Sequence, residues 1–386
     1  MFSTAILKLT ARCNLNCTYC YMFNLSDRTY ARVPPVMALP IALAFLERVR
    51  DYSQARRQSQ FTIVLHGGEP TLWPVDYFRS FFDRVESIRN EGISLPLLIQ
   101  TNGVKLSEEL LDLFEAHRVA VGISLDGPKR FNDERRINHG GRGSYEAVMA
   151  TVHDILERGR DDMVTGFLCV ADPRISPVEF LDWIDELPIR RADVLWPIEY
   201  NYLNPPWGDT ESVAYAAAPT YGRWFADLFS EWLLRGDPSL YIRSFYQCMH
   251  ILMGSPSHCD AIGVSGFPVF AVNTSGMIEQ HDYLRAGNDG ATNSELSVVS
   301  DDLMQLEEDE RFAGLVRLGS HLPSECANCP HRNECGGGFL PGRVNGEESI
   351  PLGRSVLCDD HFYFWTSVKR LLAPELTSLG YQVMVG

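Results

Sequence analysis

Short β-rich runs alternate with amphipathic stretches through the first two-thirds of the chain, and few architectures accept that alternation. The runs occupy residues 5–9, 61–65, 97–100, 119–125, 164–170 and 194–199. Between them, "ALPIALAFLERVRDY", "VDYFRSFFDRVESIRN", "SEELLDLFEAH", "SYEAVMATVHDILERG" and "PVEFLDWIDELP" place apolar residues three and four apart, the period of a helix with one buried face. Repeated βα units imply an α/β fold built on a parallel sheet. A last helical segment, "YGRWFADLFSEWLLRG", precedes a change of texture in which Gly, Pro, Ser, Asn and Cys rise and the alternation stops. The sequence therefore predicts a domain over residues 1–238, a second over 239–370 and a tail over 371–386.

Parallel α/β domains gather ligands where strands run out into the loops before helices. Unusual stretches recur at these points: "ARCNLNCTYCY" after the first strand, "HGGEP" after the second, "QTNG" after the third and "SLDGP" at the end of the fourth. Glycine and proline punctuate any βα turn, so each stretch alone reads as a turn. Their shared rim makes them a candidate site. Gly67 and Gly68 permit close backbone approach to a ligand, and Asn102, Ser124 and Asp126 carry short side chains able to hydrogen-bond a ribose.

Eight of the ten cysteines bear on metal chemistry. Cys13, Cys17 and Cys20 are spaced CxxxCxxC; Cys326, Cys329 and Cys335 form CxxCxxxxxC, with Cys358 beyond them and Cys259 upstream. Cys169 and Cys248 lie in apolar strand and helix contexts, where cysteine usually packs. The N-terminal apolar run has no cleavage site behind it and no stretch approaches membrane-spanning length, which predicts a cytoplasmic protein. In that reducing compartment clustered cysteines more often hold metal or do redox chemistry than form disulfides. A formal net charge of -16 argues against a nucleic-acid footprint and leaves small molecules and peptides as partners. Taken alone, the second cysteine group suits either zinc or an iron-sulfur cluster. A zinc-binding module without turnover is the non-enzymatic alternative.

CxxxCxxC with Tyr19 before its last cysteine, followed by GGEP at Gly67, Gly68, Glu69 and Pro70, resembles the radical S-adenosylmethionine (radical SAM) enzymes over roughly residues 1–240. The resemblance implies a partial (β/α)6, TIM-like barrel. It also explains a triplet where a closed metal site wants four ligands. Cys13, Cys17 and Cys20 would bind three irons of a 4Fe-4S cluster and leave the fourth to the amino and carboxylate groups of S-adenosyl-L-methionine. One electron then cleaves SAM to methionine and a 5'-deoxyadenosyl radical, which takes a hydrogen atom from substrate. Tyr19, Gly67, Gly68, Glu69, Pro70, Asn102, Ser124 and Asp126 are the implied cofactor-binding set. An electron donor such as flavodoxin or ferredoxin is the implied redox partner. Arg135, Arg136 and Arg142 are candidates to pair with the SAM carboxylate or a substrate acid.

The second cysteine group then resembles the loop-rich SPASM extension of peptide- and protein-modifying radical SAM enzymes, which usually holds two auxiliary clusters. Cys326, Cys329, Cys335 and Cys358 supply the four ligands of one auxiliary 4Fe-4S cluster. For the other, Cys259 is present, but His281 and Phe339 stand where cysteines are expected. Histidine can ligate iron and phenylalanine cannot, so one auxiliary cluster is expected and Cys259 is left over. Sulfatase-maturating enzymes share the layout but carry the full ligand set. The stretches "RGSYEAV", "WPIEYNYLNPPWG", "SGMIEQHDYL" and "CGGGF" look more like the FxsB-type maturases of ribosomally made peptides. That resemblance implies oxidative closure of a three-residue cyclophane, an aromatic ring joined to a side-chain β-carbon, with thioether, ether or other crosslinks, or a sulfatase-maturating-like protein oxidase, as alternatives. The reaction needs a proton acceptor: Asp282 is the implied base, with Glu279 and His281 as competitors. The partner is a precursor peptide whose leader binds the barrel, the SPASM surface or a separate recognition protein. Tyr200, Tyr202 and Trp207 are candidates to line the cleft.

Overall fold

The computed structural model describes residues 1–208, 212–257, 259, 261–264, 266–319, 321–345 and 353–381. Its strands are β1 (Thr4–Thr10), β2 (Thr62–Gly67), β3 (Leu97–Thr101), β4 (Val119–Ser124), β5 (Val164–Val170), β6 (Arg191–Leu195), β7 (Tyr241–Ile242), β8 (Val269–Val272), β9 (Met277–Glu279) and β10 (Asn293–Ser297). The helices are α1 (Leu39–Arg56), α2 (Val75–Asn90), α3 (Glu108–Ala116), α4 (Lys129–Arg135), α5 (Tyr145–Glu157) and α6 (Pro177–Glu186). They continue as α7 (Ser212–Ala217), α8 (Thr220–Arg235), α9 (Arg243–Leu252), α10 (Glu310–Arg317), α11 (Arg332–Cys335) and α12 (Cys358–Ser378). Two compact units emerge: Met1–Leu125 with Asn132–Phe167 and Pro268–Val316, and Asp126–Phe131 with Leu168–Phe267 and Arg317–Gly386. This is a different division from a cut after residue 238. Residues 268–316 return to the first unit because β8 pairs in parallel with β1, Leu7 opposite Val272.

In the first unit β1, β2, β3 and β4 lie side by side in parallel, with Leu7 opposite Leu65, Leu65 opposite Ile99 and Ile99 opposite Val121. All of these side chains are buried, so one apolar row crosses the sheet. β9 and β10 extend the β8 edge in antiparallel fashion. Helix α2 buries Phe78, Phe81, Phe82, Val85 and Ile88, the helical period read from its sequence. Phe78 and Phe82 meet Phe114 of α3 edge-on at 5.6 and 6.2 Å. Each such ring contributes about 1.5–3 kcal/mol by leaving water.

The second unit packs helices α8 and α12 together beside its loops. Gly222 lets α8 meet α12 closely, since a Cβ there would stand 2.3 Å from the Asp360 carbonyl oxygen. The Gly222 amide donates to Asp360 Oδ1 at 2.8 Å. Helix α12 buries Phe364, Trp365, Val368, Leu372 and Leu376, so much of the expected tail is helix; residues 382–386 lie outside the described residues. The strand expected over 194–199 is β6, ending at Leu195. Trp196 precedes Pro197, which lacks an N–H and restricts the residue before it, so the ladder stops there. Among the described residues no helix is long and apolar enough to cross a membrane.

Candidate functional site

In the first unit the loop after β1 carries Cys13, Cys17 and Cys20, all partly buried. It is clamped by the segment after α4: the Asn16 and Thr18 amides donate to the Ile137 and Arg135 carbonyls at 2.7 and 2.9 Å. His139 Nε2 lies 2.9 Å from the Cys13 carbonyl oxygen. Two arginines assigned to a ligand acid serve this clamp. The Arg135 guanidinium lies 4.4 Å from the Tyr19 ring centroid, and Arg136 Nη1 donates to the Tyr19 hydroxyl at 2.8 Å. Arg142 is exposed and closes a turn with Asn138. Burial pushes the Cys13 thiol up to about 12 and the Cys20 thiol to about 11. Such thiols are poor nucleophiles at neutral pH; coordination to a cationic group is what would deprotonate them.

The loops after β2 and β3 complete this rim. Gly67 has φ +123, and a Cβ on it would fall 2.3 Å from the Thr10 carbonyl oxygen. A Cβ on Gly68 would fall 2.1 Å from that of Arg12. The glycine pair is therefore required for close approach to the backbone at the end of β1 and the start of the cysteine loop. Glu69 is buried, and its carboxylate accepts from the Thr71 amide, the Thr71 and Thr101 hydroxyls and the Asn102 amide at 2.7–3.1 Å. Burial pushes its pKa up against these donors. Pro70 opens a short 3-10 turn behind it. Asn102 Nδ2 then reaches Asn14 Oδ1 at 2.7 Å and lies 3.5 Å from Cys13 Sγ. Ser124 Oγ accepts from Gln100 Nε2 at 2.9 Å. Asp126 groups with the second unit and is engaged by the Val170 amide at 3.1 Å.

A buried charge network lies in the same unit. Lys8, the lone cation of the strand "TAILKLT", is 2% exposed. Its Nζ donates to Glu279 Oε2 at 2.7 Å and ion-pairs with Asp282. Arg285 holds Glu279 through two contacts of 2.7 Å, stands 3.2 Å from Asp282 Oδ1 and pairs with Asp27. The Tyr21 hydroxyl, one residue past Cys20, donates to Asp282 Oδ2 at 2.7 Å. Burial acts to raise both Glu279 and Asp282, but Lys8 and Arg285 outweigh it and hold both below the ordinary carboxylate range. Burial pushes the pKa of the neighbouring His66 down. His281 is buried; its Nδ1 accepts from the Tyr283 amide at 3.3 Å and its ring packs on Tyr283. The hairpin turn at Asn273–Gly276 delivers these groups: Gly276 has φ +88, and its amide donates to the Asn273 carbonyl.

In the second unit, Cys326, Cys329, Cys335 and Cys358 line one cavity with Arg354 and Phe362. Gly336, after Cys335, has φ +62, and a Cβ there would collide with the Gly263 carbonyl oxygen at 1.8 Å. Burial raises the Cys326, Cys335 and Cys358 thiols. Cys259 is buried with Cys248 in electrostatic reach. Phe339 is 1% exposed, packed where a ligand thiol was sought. Tyr202 donates to the Arg354 carbonyl at 2.5 Å, Tyr200 meets Tyr221 and Trp207 meets Tyr215, so these aromatics anchor loops. Among the described residues no three His, Cys, Asp or Glu groups close around a single metal ion. A four-iron cluster attaches its thiolates to different irons and spaces them more widely than one zinc ion does.

Residues 7–187 match the Radical SAM superfamily. The chain is 27% identical over 285 residues to the cysteine-type anaerobic sulfatase-maturating enzyme of Clostridium novyi, 73% of each protein. It is 22% identical over 383 residues to the serine-type enzyme of Bacteroides thetaiotaomicron, 93% of this chain and 87% of that one. Its fold resembles native anSMEcpe with bound AdoMet and the Cp18Cys peptide, with a TM-score of 0.81, 18% identity and coverage of 97% of this chain and 99% of that one.

Proposed function

With residues 7–187 carrying a radical SAM domain, we propose that the chain is an oxidative maturase of a ribosomally made peptide, joining an aromatic ring to a side-chain β-carbon. Bound SAM and its 4Fe-4S cluster supply a hydrogen-abstracting 5'-deoxyadenosyl radical, and an auxiliary cluster supplies an electron acceptor. The donor sets fit these groups: three partly buried thiols at one rim, Cys13 and Cys20 of them desolvated, and four around one cavity. Glu69 and Asn102 hold the rim in shape, and Tyr19 locks the cysteine loop to Arg136.

Asp282 carries the reading. Its carboxylate is buried, ionised and held on three sides by Lys8, Arg285 and Tyr21. A carboxylate with a depressed pKa is a weak base, poorly matched to a ground-state thiol or hydroxyl. It suffices for the proton of a ring adduct that has lost an electron, since that carbon acid is strongly acidic. Glu279, tied twice to Arg285, orients the network.

The second reading is oxidation of a single cysteine or serine, favoured by the similarity to anaerobic sulfatase-maturating enzymes. The product separates the two. A crosslink leaves the peptide about two mass units lighter with no carbonyl; side-chain oxidation leaves an aldehyde that a hydrazine probe captures. Asp282→Asn is expected to cleave SAM normally and to slow product formation by about 10²–10⁴-fold, the usual contribution of a positioned base. Normal product formation by that variant removes Asp282 from the chemistry.

A further inference from the structure

The proposed chemistry leaves two arginines of the second unit without a task. Arg343 is 1% exposed. Its Nε donates to the Gly353 carbonyl at 3.1 Å, and Nη2 finds no acceptor among the described residues. Its Nη1 packs on the backbone after Cys335, where a Cβ on Gly337 would stand only 3.1 Å away. Its guanidinium lies within electrostatic reach of Cys326, Cys335 and Tyr202. Arg354 lines the cysteine cavity, hydrogen-bonds Cys358 and is held by Asp359 at 2.7 Å. Tyr202 fixes its backbone. A guanidinium buried against neutral thiols is costly, and against a thiolate cluster it is compensated.

We propose that Arg343 and Arg354 raise the reduction potential of the cluster bound by Cys326, Cys329, Cys335 and Cys358, so that it accepts the electron released when the ring adduct regains aromaticity. The inference rests on the oxidative reading above. Reduction adds one negative charge to a cluster that is already anionic. Nearby cations and hydrogen bonds to sulfur stabilise the reduced state more than the oxidised one. In the balanced step the substrate radical loses one electron to the cluster and one proton to Asp282. The electron then returns to the external one-electron carrier protein.

The full-length variant with Cys13, Cys17 and Cys20 replaced by Ala isolates the auxiliary cluster for an EPR-monitored redox titration. In that background Arg343→Met is expected to lower the ratio of reduced to oxidised cluster at least tenfold at a fixed solution potential, which is 59 mV for one electron. Arg343→Lys, which keeps the charge, is expected to retain most of the parent potential. Arg354→Gln is expected to shift the potential the same way by less, because its side chain is 42% exposed and screened by water. Parent potentials in Arg343→Met and Arg354→Gln, with iron content intact, overturn the proposal. If Arg343→Met fails to hold iron, Arg354→Gln decides alone, and an unchanged potential there overturns it. A parent without auxiliary iron refutes instead the cluster assignment beneath it.

Discussion

Replacing Lys8 by Met deletes one of two cations that serve three buried carboxylates, Glu279, Asp282 and Asp27. The stem still fills its site, so the change is almost purely electrostatic. At 2.7 Å and an effective dielectric constant near 20, the contact with Glu279 is worth about 6 kcal/mol of bare attraction. Relief from desolvating the ammonium offsets part of this, and broken buried pairs typically cost about 3–5 kcal/mol, which is the loss expected at pH 7. The pH dependence has a definite sign. The folded-state pKa values of Glu279 and Asp282 are depressed, so in the parent they contribute stability above about pH 4 that is lost as pH falls through the folded values. Without Lys8 both groups take up protons more readily, and the gap between variant and parent narrows from neutral pH towards acid. Hydrogen exchange of the peptides covering β1 and β9 in anaerobically reconstituted protein, read at several pH values, measures both effects. A loss under about 1 kcal/mol, or a gap that widens in acid, refutes the reasoning. Adding Glu279→Gln to the lysine variant is expected to recover part of the loss, because the pair is coupled.

Replacing Cys13, Cys17 and Cys20 together by Ala is expected to abolish 5'-deoxyadenosine formation while the iron of the second unit remains, as chromatography and iron analysis would show. The reconstituted parent is expected to hold about eight irons per chain, the content of two four-iron clusters; about twelve would mean that Phe339 does not prevent a third. Glu69→Gln places an amide N–H among four donors, costs about 1–3 kcal/mol locally and should weaken SAM binding, measurable by equilibrium dialysis.

The parallel strands and α2 were legible because their periodicity is local and their apolar residues leave little choice of face. The close-spaced cysteines were legible because short spacing brings such thiols near one another, whereas Cys358, far beyond Cys335, was joined to them only through the resemblance. The charge network was legible only in part. Asp282, Glu279 and His281 were singled out, but Lys8, Arg285, Asp27 and Tyr21 were not, although a lone lysine in an apolar strand demands a partner and Arg285 follows Asp282 at helical-turn spacing. Their convergence depends on β8 pairing with β1, a contact between distant segments that no window of sequence contains. The same pairing explains why a domain boundary near residue 238 looked natural. Texture changes there, while the sheet is completed later. The glycines of GGEP carry the opposite lesson: the need for glycine was legible, but the neighbour that imposes it was the chain itself.

That late completion of the sheet matters while the protein is being made. Lys8 and Glu279 are separated by 271 residues, so β1 leaves the ribosome with its ammonium unpaired. At 5–20 residues per second, roughly 14–54 s pass before the carboxylates that neutralise it are synthesised. During that interval the first cysteine loop is tethered to an unfinished sheet, and a nascent chain stopped after α8 exposes the edge of β1 that β8 covers. The sheet beneath that loop is therefore completed only when the β8–β9 hairpin emerges, well after the cysteines themselves.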